Sequence, residues 1–229
     1  MNARHSWIKA FPLATAAEAV KAVLDCWNRL AITHLPGFNP KMKEPTLTLV
    51  LATYLRDVIS NEYGLRGQWG AENVGATIDY ATAKIIKIHR TDICYFWNDE
   101  QTSLQLVIEF KKLGHTKSSR DYYLGEKGML RFISGPYSKG QPIALMAGIL
   151  SKDYNDCVPP LRSSLQRPEI ASMLQLRSTD KEEAYCMPSM LFPGIVDFDT
   201  EHVRSPDKAP THGTIRIAHF FLSFGYSPS

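Results

Sequence analysis

The 229-residue chain contains no long apolar run. Its longest, Ile143 to Leu150, falls far short of the roughly 20 residues that a membrane-spanning helix needs, so no membrane anchor is expected. Residues 1–12 lack a continuous apolar core and carry Arg4, His5 and Lys9, which argues against a secretory leader. The chain therefore reads as soluble and cytoplasmic. Its four cysteines, Cys26, Cys94, Cys157 and Cys186, show no CxxC or CxxH spacing. That spacing supports neither a structural zinc module nor a disulfide framework and fits reduced thiols. There is no Gly-rich P-loop and no GxSxG elbow, so nucleotide-driven motor work and serine hydrolysis lack a carrier. Charge of one sign is also scarce: 26 Lys+Arg against 23 Asp+Glu leave a net charge of +3. This mild basic bias is compatible with nucleic acid but far from a polycationic tail. His202, His212 and His219 with Asp197 and Asp199 match no zinc spacing, and Asp197-Phe198-Asp199 reads as a turn cap.

With 44% hydrophobic residues, the chain can build one substantial core. Val20, Val23, Leu24, Trp27 and Leu30 recur at helical steps over 14–31. A second helix opens at Pro45-Thr46 and runs to about Tyr63, with the apolar stripe Leu47, Leu51, Leu55, Val58. Glu62 is the next member of that stripe. A carboxylate on a buried-looking face is costly to desolvate unless a cation or metal meets it. Extended segments follow over 69–74, 83–96 and 104–112, then a helix over 118–133, a Gly135-Pro136 turn and an apolar strand over 143–150. Past 151, a helix is expected over 160–177, an irregular Pro-rich stretch over 187–211 and a closing strand over 214–224. The expected fold class is α/β, with a core over 1–150 and a C-terminal extension over 151–229 packed on the same domain as an accessible interaction surface.

The chemistry concentrates in the strand Leu104-Gln105-Leu106-Val107-Ile108-Glu109-Phe110-Lys111-Lys112. Alternation along a strand puts Glu109 and Lys111 on one face while Leu106, Ile108 and Phe110 face away. Asp92 lies on the preceding strand, and two neighbouring carboxylates repel unless a cation intervenes. Mg²⁺ prefers octahedral oxygen ligation and keeps several waters, so Asp92 and Glu109 fit as metal ligands. Lys111 would then orient or help deprotonate water and stabilise transition-state charge, with Glu62 as the accessory acid that completes the metal's shell or holds a ligand water. The plainer account makes Glu109 and Lys111 a solvated strand face, pairs Asp92 with Arg90 or Lys87, and leaves Glu62 fraying at a helix end. Lys112, Lys117, Arg120, Lys127 and Arg131 are candidates for gripping phosphates, or an ordinary solvated face. Trp69, Tyr95 and Trp97 could stack on bases, but core positions suit them better.

Asp92, Glu109-Phe110-Lys111, the preceding helix with Glu62 and the following helix and strand together resemble the PD-(D/E)xK nuclease superfamily over residues 46–150. His89-Arg90-Thr91-Asp92-Ile93 and Gly128-Met129-Leu130-Arg131-Phe132-Ile133-Ser134-Gly135-Pro136-Tyr137 are also similar to stand-alone members. No Pro precedes Asp92, a departure from the family pattern. The resemblance implies a restriction-endonuclease-like core, with a central mixed β-sheet flanked by helices, that cuts DNA with Mg²⁺ or Mn²⁺. Little chain follows the presumed core to supply extra recognition elements, so weak sequence specificity is expected; analogy with the family adds regulation by self-assembly or a partner subunit, as in anti-phage defence. A non-catalytic nucleic-acid-binding or scaffold subunit with this fold, or a structure-selective or RNA-directed nuclease, are the alternatives.

Overall fold

A computed structural model describes residues 11–79, 84–100, 103–134, 137–177, 184–209 and 213–226, with backbone alone at 75–79, 84 and 86–89. In chain order the elements are α1 (Leu13–Ile32), α2 (Glu44–Tyr54), a π-helical turn (Leu55–Ile59), α3 (Ser60–Tyr63), β1 (Gln68–Asp79), β2 (Lys84–Asn98) and β3 (Ser103–Leu113). Then come α4 (Lys117–Leu124), α5 (Leu130–Ile133), β4 (Ile143–Leu150), α6 (Tyr154–Leu165), α7 (Pro168–Met173), β5 (Tyr185–Cys186), β6 (Phe198–Val203) and β7 (Thr214–Leu222). The strands form one seven-stranded mixed sheet in the order β1-β2-β3-β4-β7-β6-β5. The β3/β4 and β4/β7 pairs are parallel and the others antiparallel. The protein is therefore α/β, with helices on both faces of the sheet. Residues after 150 are part of that sheet, since β7 lies between β4 and β6. Among the described residues no helix is long and apolar enough to cross a membrane.

Burial follows the strand alternation. Leu104, Leu106, Ile108 and Phe110 join a core with Trp27, Leu47 and Leu51 of α1 and α2. Val107 and Leu113 join a second core with Tyr123, Phe132, Val158 and Leu161 from α4, α5 and α6. Central β4 is buried along its whole length, as a strand covered on both faces should be. The Gly135-Pro136 turn, His212 and the side chains of Lys87 and His89 lie outside the described residues.

Several local expectations change. The helix expected over 118–133 is two helices, because α4 ends at Gly125 and the chain doubles back through Gly128. A Cβ on Gly128 would lie 1.9 Å from the Tyr123 carbonyl oxygen, so only glycine fits that turn. The helix expected over 160–177 is likewise α6 and α7, broken ahead of Pro168 as residues preceding proline avoid the helical region.

The stretch read as irregular over 187–211 contains β6, whose Asp199, Thr200, Glu201 and His202 are all buried. Each has a specific partner in place of an apolar pattern. Asp199 accepts from Ser189 Oγ at 2.6 Å and from the amides of Met190 at 2.7 Å and Leu191 at 3.0 Å, capping that turn. Glu201 pairs with Arg177 and Arg216, both at 2.7 Å. Thr200 Oγ1 bridges the rings of His202 at 2.7 Å and His219 at 2.9 Å. Unpartnered buried donors are expensive, so Asp199→Ala is expected to lower stability by about 1–3 kcal/mol in chemical denaturation. An unchanged midpoint would refute the capping role.

Candidate active site

The site lies at a fork in the sheet. The β2–β3 ladder ends at Ile93↔Ile108, whereas β2 stays paired with β1 as far as Asp79↔Lys84. Beyond Ile93 the two outer strands continue as a ribbon away from β3. Across the ribbon from Asp92, Glu72 has φ +45°, a left-handed conformation that interrupts the extended run where the strands part. Among the described residues, the outer edge of β3 from Glu109 onward therefore has no strand partner. A buried backbone amide needs an acceptor, and acidic side chains supply it here. Asp92 Oδ2 accepts from the Phe110 amide at 2.8 Å, and Glu44 Oε2 accepts from the Lys112 amide at 2.7 Å.

Glu44 is the first residue of α2, followed by Pro45 at the favoured N-terminal position. It is the acid that sequence reasoning misses, because the sequence pattern opens the helix at Pro45. Its signal was available: an acidic residue in a first helical turn, next to a proline. Glu62, the acid proposed for that place, is instead half-exposed and ion-paired to Arg29 on α1. The cause is the π-helical turn. Its i→i+5 bonding alters the helical phase, so Leu55 and Ile59 are buried while Val58 is 40% exposed. The stripe extrapolated through Val58 to Glu62 ends there.

Glu109 and Lys111 are both buried on the α4/α5 face of β3, between Val107 and Leu113. They do not form a solvated face. Lys111 Nζ lies 2.8 Å from Glu44 Oε1, 2.9 Å from Glu109 Oε1 and 3.7 Å from Asp92 Oδ2, and it also donates to the Phe110 carbonyl. Arg131 Nη1 from α5 lies 2.9 Å from Glu109 Oε1 and 2.8 Å from the Tyr137 hydroxyl. Three carboxylates thus face two cations, leaving one negative charge in excess. Burial and the neighbouring Asp92 raise the pKa of Glu109 to about 7, against the pull of Lys111 and Arg131. Burial likewise raises Asp92, partly offset by Lys111. Burial also works against the Lys111 charge, but Glu109, Asp92 and Glu44 outweigh it and raise its pKa.

Comparison with protein-family models, with curated proteins and with solved structures finds no match for this chain.

The remaining candidates separate by position. Lys112 Nζ donates to the Pro40 carbonyl at 2.8 Å, and burial lowers its pKa. Lys117 pairs with Asp121 at 2.6 Å along α4, and Arg120 donates to the His115 carbonyl at 2.6 Å. Lys127 is exposed beyond α4. Among the described residues, Arg131 is the one of these five whose charged side chain pairs with a site carboxylate, while Lys112 reaches Glu44 through its backbone amide. Arg90 faces Glu72 at 3.9 Å. Trp69 and Tyr95 are buried core residues, and their rings lie 4.7 Å apart.

The donor set fits a hard divalent cation. Glu109 Oε2 is buried with no hydrogen-bond partner among the described residues, and an orphaned carboxylate oxygen is costly unless a cation meets it. Among those residues no three His, Cys, Asp or Glu side chains form a ready-made cage. Mg²⁺ commonly takes one or two carboxylates and completes its shell with water, so Asp92 and Glu109 are the side chains that would hold it.

The pKa of Glu109 yields a signed pH dependence. Between its ordinary value of 4.5 and about 7 the folded protein retains a proton that the unfolded chain has released. The stability contributed by this group is therefore greatest at low pH and is lost as pH rises through about 7. In metal-free buffer, wild type is expected to lose thermal stability relative to Glu109→Gln across that window. Parallel curves for the two proteins would contradict the burial argument.

Proposed function

We propose that the chain is a metal-dependent nuclease of the restriction-endonuclease-like PD-(D/E)xK type, hydrolysing phosphodiester bonds in DNA with Mg²⁺ or Mn²⁺. The observation that carries this reading is the convergence of Glu44, Asp92, Glu109 and Lys111 at the fork between β2 and β3. The order helix, three antiparallel strands, helices and a parallel strand agrees with the resemblance noted over this segment. Regulation by self-assembly or a partner subunit, in defence against phage, is carried by analogy with that superfamily.

In this reading Asp92 and Glu109 hold the ion. When bound, Mg²⁺ or Mn²⁺ supplies a Lewis acid for a phosphate oxygen and lowers the pKa of a bound water. Lys111 stays protonated among its three carboxylates, so it acts through charge and donated hydrogen bonds rather than as the base that deprotonates water. A cation preorganised in a buried site stabilises negative charge as it develops on the phosphate, with little reorganisation. Glu44 holds Lys111 in place and fastens the Lys112 backbone, taking the accessory role first given to Glu62. Exclusion of water by the surrounding core strengthens each of these interactions.

The test is incubation of the purified chain with supercoiled, linear and single-stranded DNA and with RNA, in Mg²⁺, Mn²⁺ or EDTA. Metal-dependent cleavage is expected, and Lys111→Met, Asp92→Asn and Glu109→Gln should each slow it by about 10²–10³-fold. Glu44→Gln should slow it as well, whereas Glu62→Gln should leave it unchanged. Cleavage that survives EDTA, or full activity in the Lys111 variant, would sink the assignment.

A further inference from the structure

We infer that Arg131, with Tyr137 behind it, is a positioning residue that orients Glu109 toward the cation; the inference rests on the metal-nuclease reading. Arg131 Nη1 and Lys111 Nζ both bind the same carboxylate oxygen, Glu109 Oε1, each at 2.9 Å. The other oxygen, Oε2, is buried and has no hydrogen-bond partner among the described residues. Two donors on one oxygen and none on the other define a rotational state of the carboxylate. One oxygen is consumed by the protein and the other is kept bare. A carboxylate free to turn would satisfy its oxygens by turns, and its ligand atom would not be preorganised.

The placement of Arg131 is itself built. The Gly128 turn, which admits no Cβ, folds α5 back after α4, and the Arg131 amide bonds the Gly128 carbonyl at 3.0 Å. The guanidinium lies 5.2 Å from the centroid of the Tyr137 ring, and its Nη1 also reaches the Tyr137 hydroxyl at 2.8 Å. Tyr137 is fixed in turn by buried Arg204, which donates to its carbonyl at 3.0 Å and to that of Ser138 at 2.8 Å. A line of contacts thus runs from the end of β6 to Glu109 Oε1, the oxygen opposite the bare one. Residues that orient a ligating carboxylate typically account for 10–100-fold in metal affinity.

Calorimetric titration of the intact chain with Mn²⁺, in the absence of nucleic acid, reads this directly. Arg131→Gln is expected to weaken Mn²⁺ binding by about 10–100-fold. Tyr137→Phe should weaken it to a lesser degree with no change in charge, and Arg131→Lys should recover part of the loss. The thermal midpoint in EDTA reports folding separately. Should Arg131→Gln fail to fold, Tyr137→Phe decides. Wild-type Mn²⁺ affinity in a folded Arg131→Gln, or in Tyr137→Phe if that variant decides, overturns the inference while leaving the nuclease reading intact. Absence of Mn²⁺ binding by wild type overturns the metal-nuclease reading itself, and this inference with it.

Discussion

Two backbone amides organise the site. Where β2 leaves β3, the Phe110 and Lys112 amides face a gap in place of a neighbouring strand, and Asp92 and Glu44 are the acceptors that fill it. A sheet that forks inside a core leaves polar backbone to be satisfied, and the cost of leaving it bare is of the order of a lost hydrogen bond for each group. Carboxylates meet that need while bringing negative charge to one place. The same two interactions therefore close the fold at β3 and assemble the acids of the site.

Concentrated negative charge then requires its counterpart. Buried carboxylates are tolerated only when paired, and Lys111 meets three of them at once with Arg131 sharing Glu109. The balance remains one cation short, and burial raises the pKa values of Glu109 and Asp92 in spite of the two cations. An enclosed site of this kind has a standing electrostatic preference for one more positive charge.

Much of the layout was legible where one physical rule dominates. The apolar run over 143–150 became β4 with the same bounds, because a strand covered on both faces needs no polar residues. Strand alternation correctly put Glu109 and Lys111 on one face, opposite Phe110. The failures have equally specific causes. Glu62 was placed by extending a regular helical period through Leu55–Ile59, and no pattern in those residues announces a π-helical turn. Glu44 was hidden because its importance comes from the missing strand beside β3, a tertiary fact. Strand β6 was hidden because Asp199, Glu201 and His202 are buried through named partners elsewhere in the chain, so its sequence reads as a loop. Periodicity reports apolar burial and is silent about burial achieved by exact polar pairing.

The position of β7 has a consequence for how the molecule comes into being. Strand order does not follow chain order: β7 inserts between β4 and β6, beside the strand that supports β3. Until residues 214–222 are in place, one edge of β4 is open and its hydrogen-bonding groups face water or a stray strand. During synthesis from the N-terminus, the segment carrying Asp92, Glu109 and Lys111 therefore emerges well before the sheet that holds it rigid can close. The charged cluster therefore gains the full support of its sheet only when β7 is added beside β4.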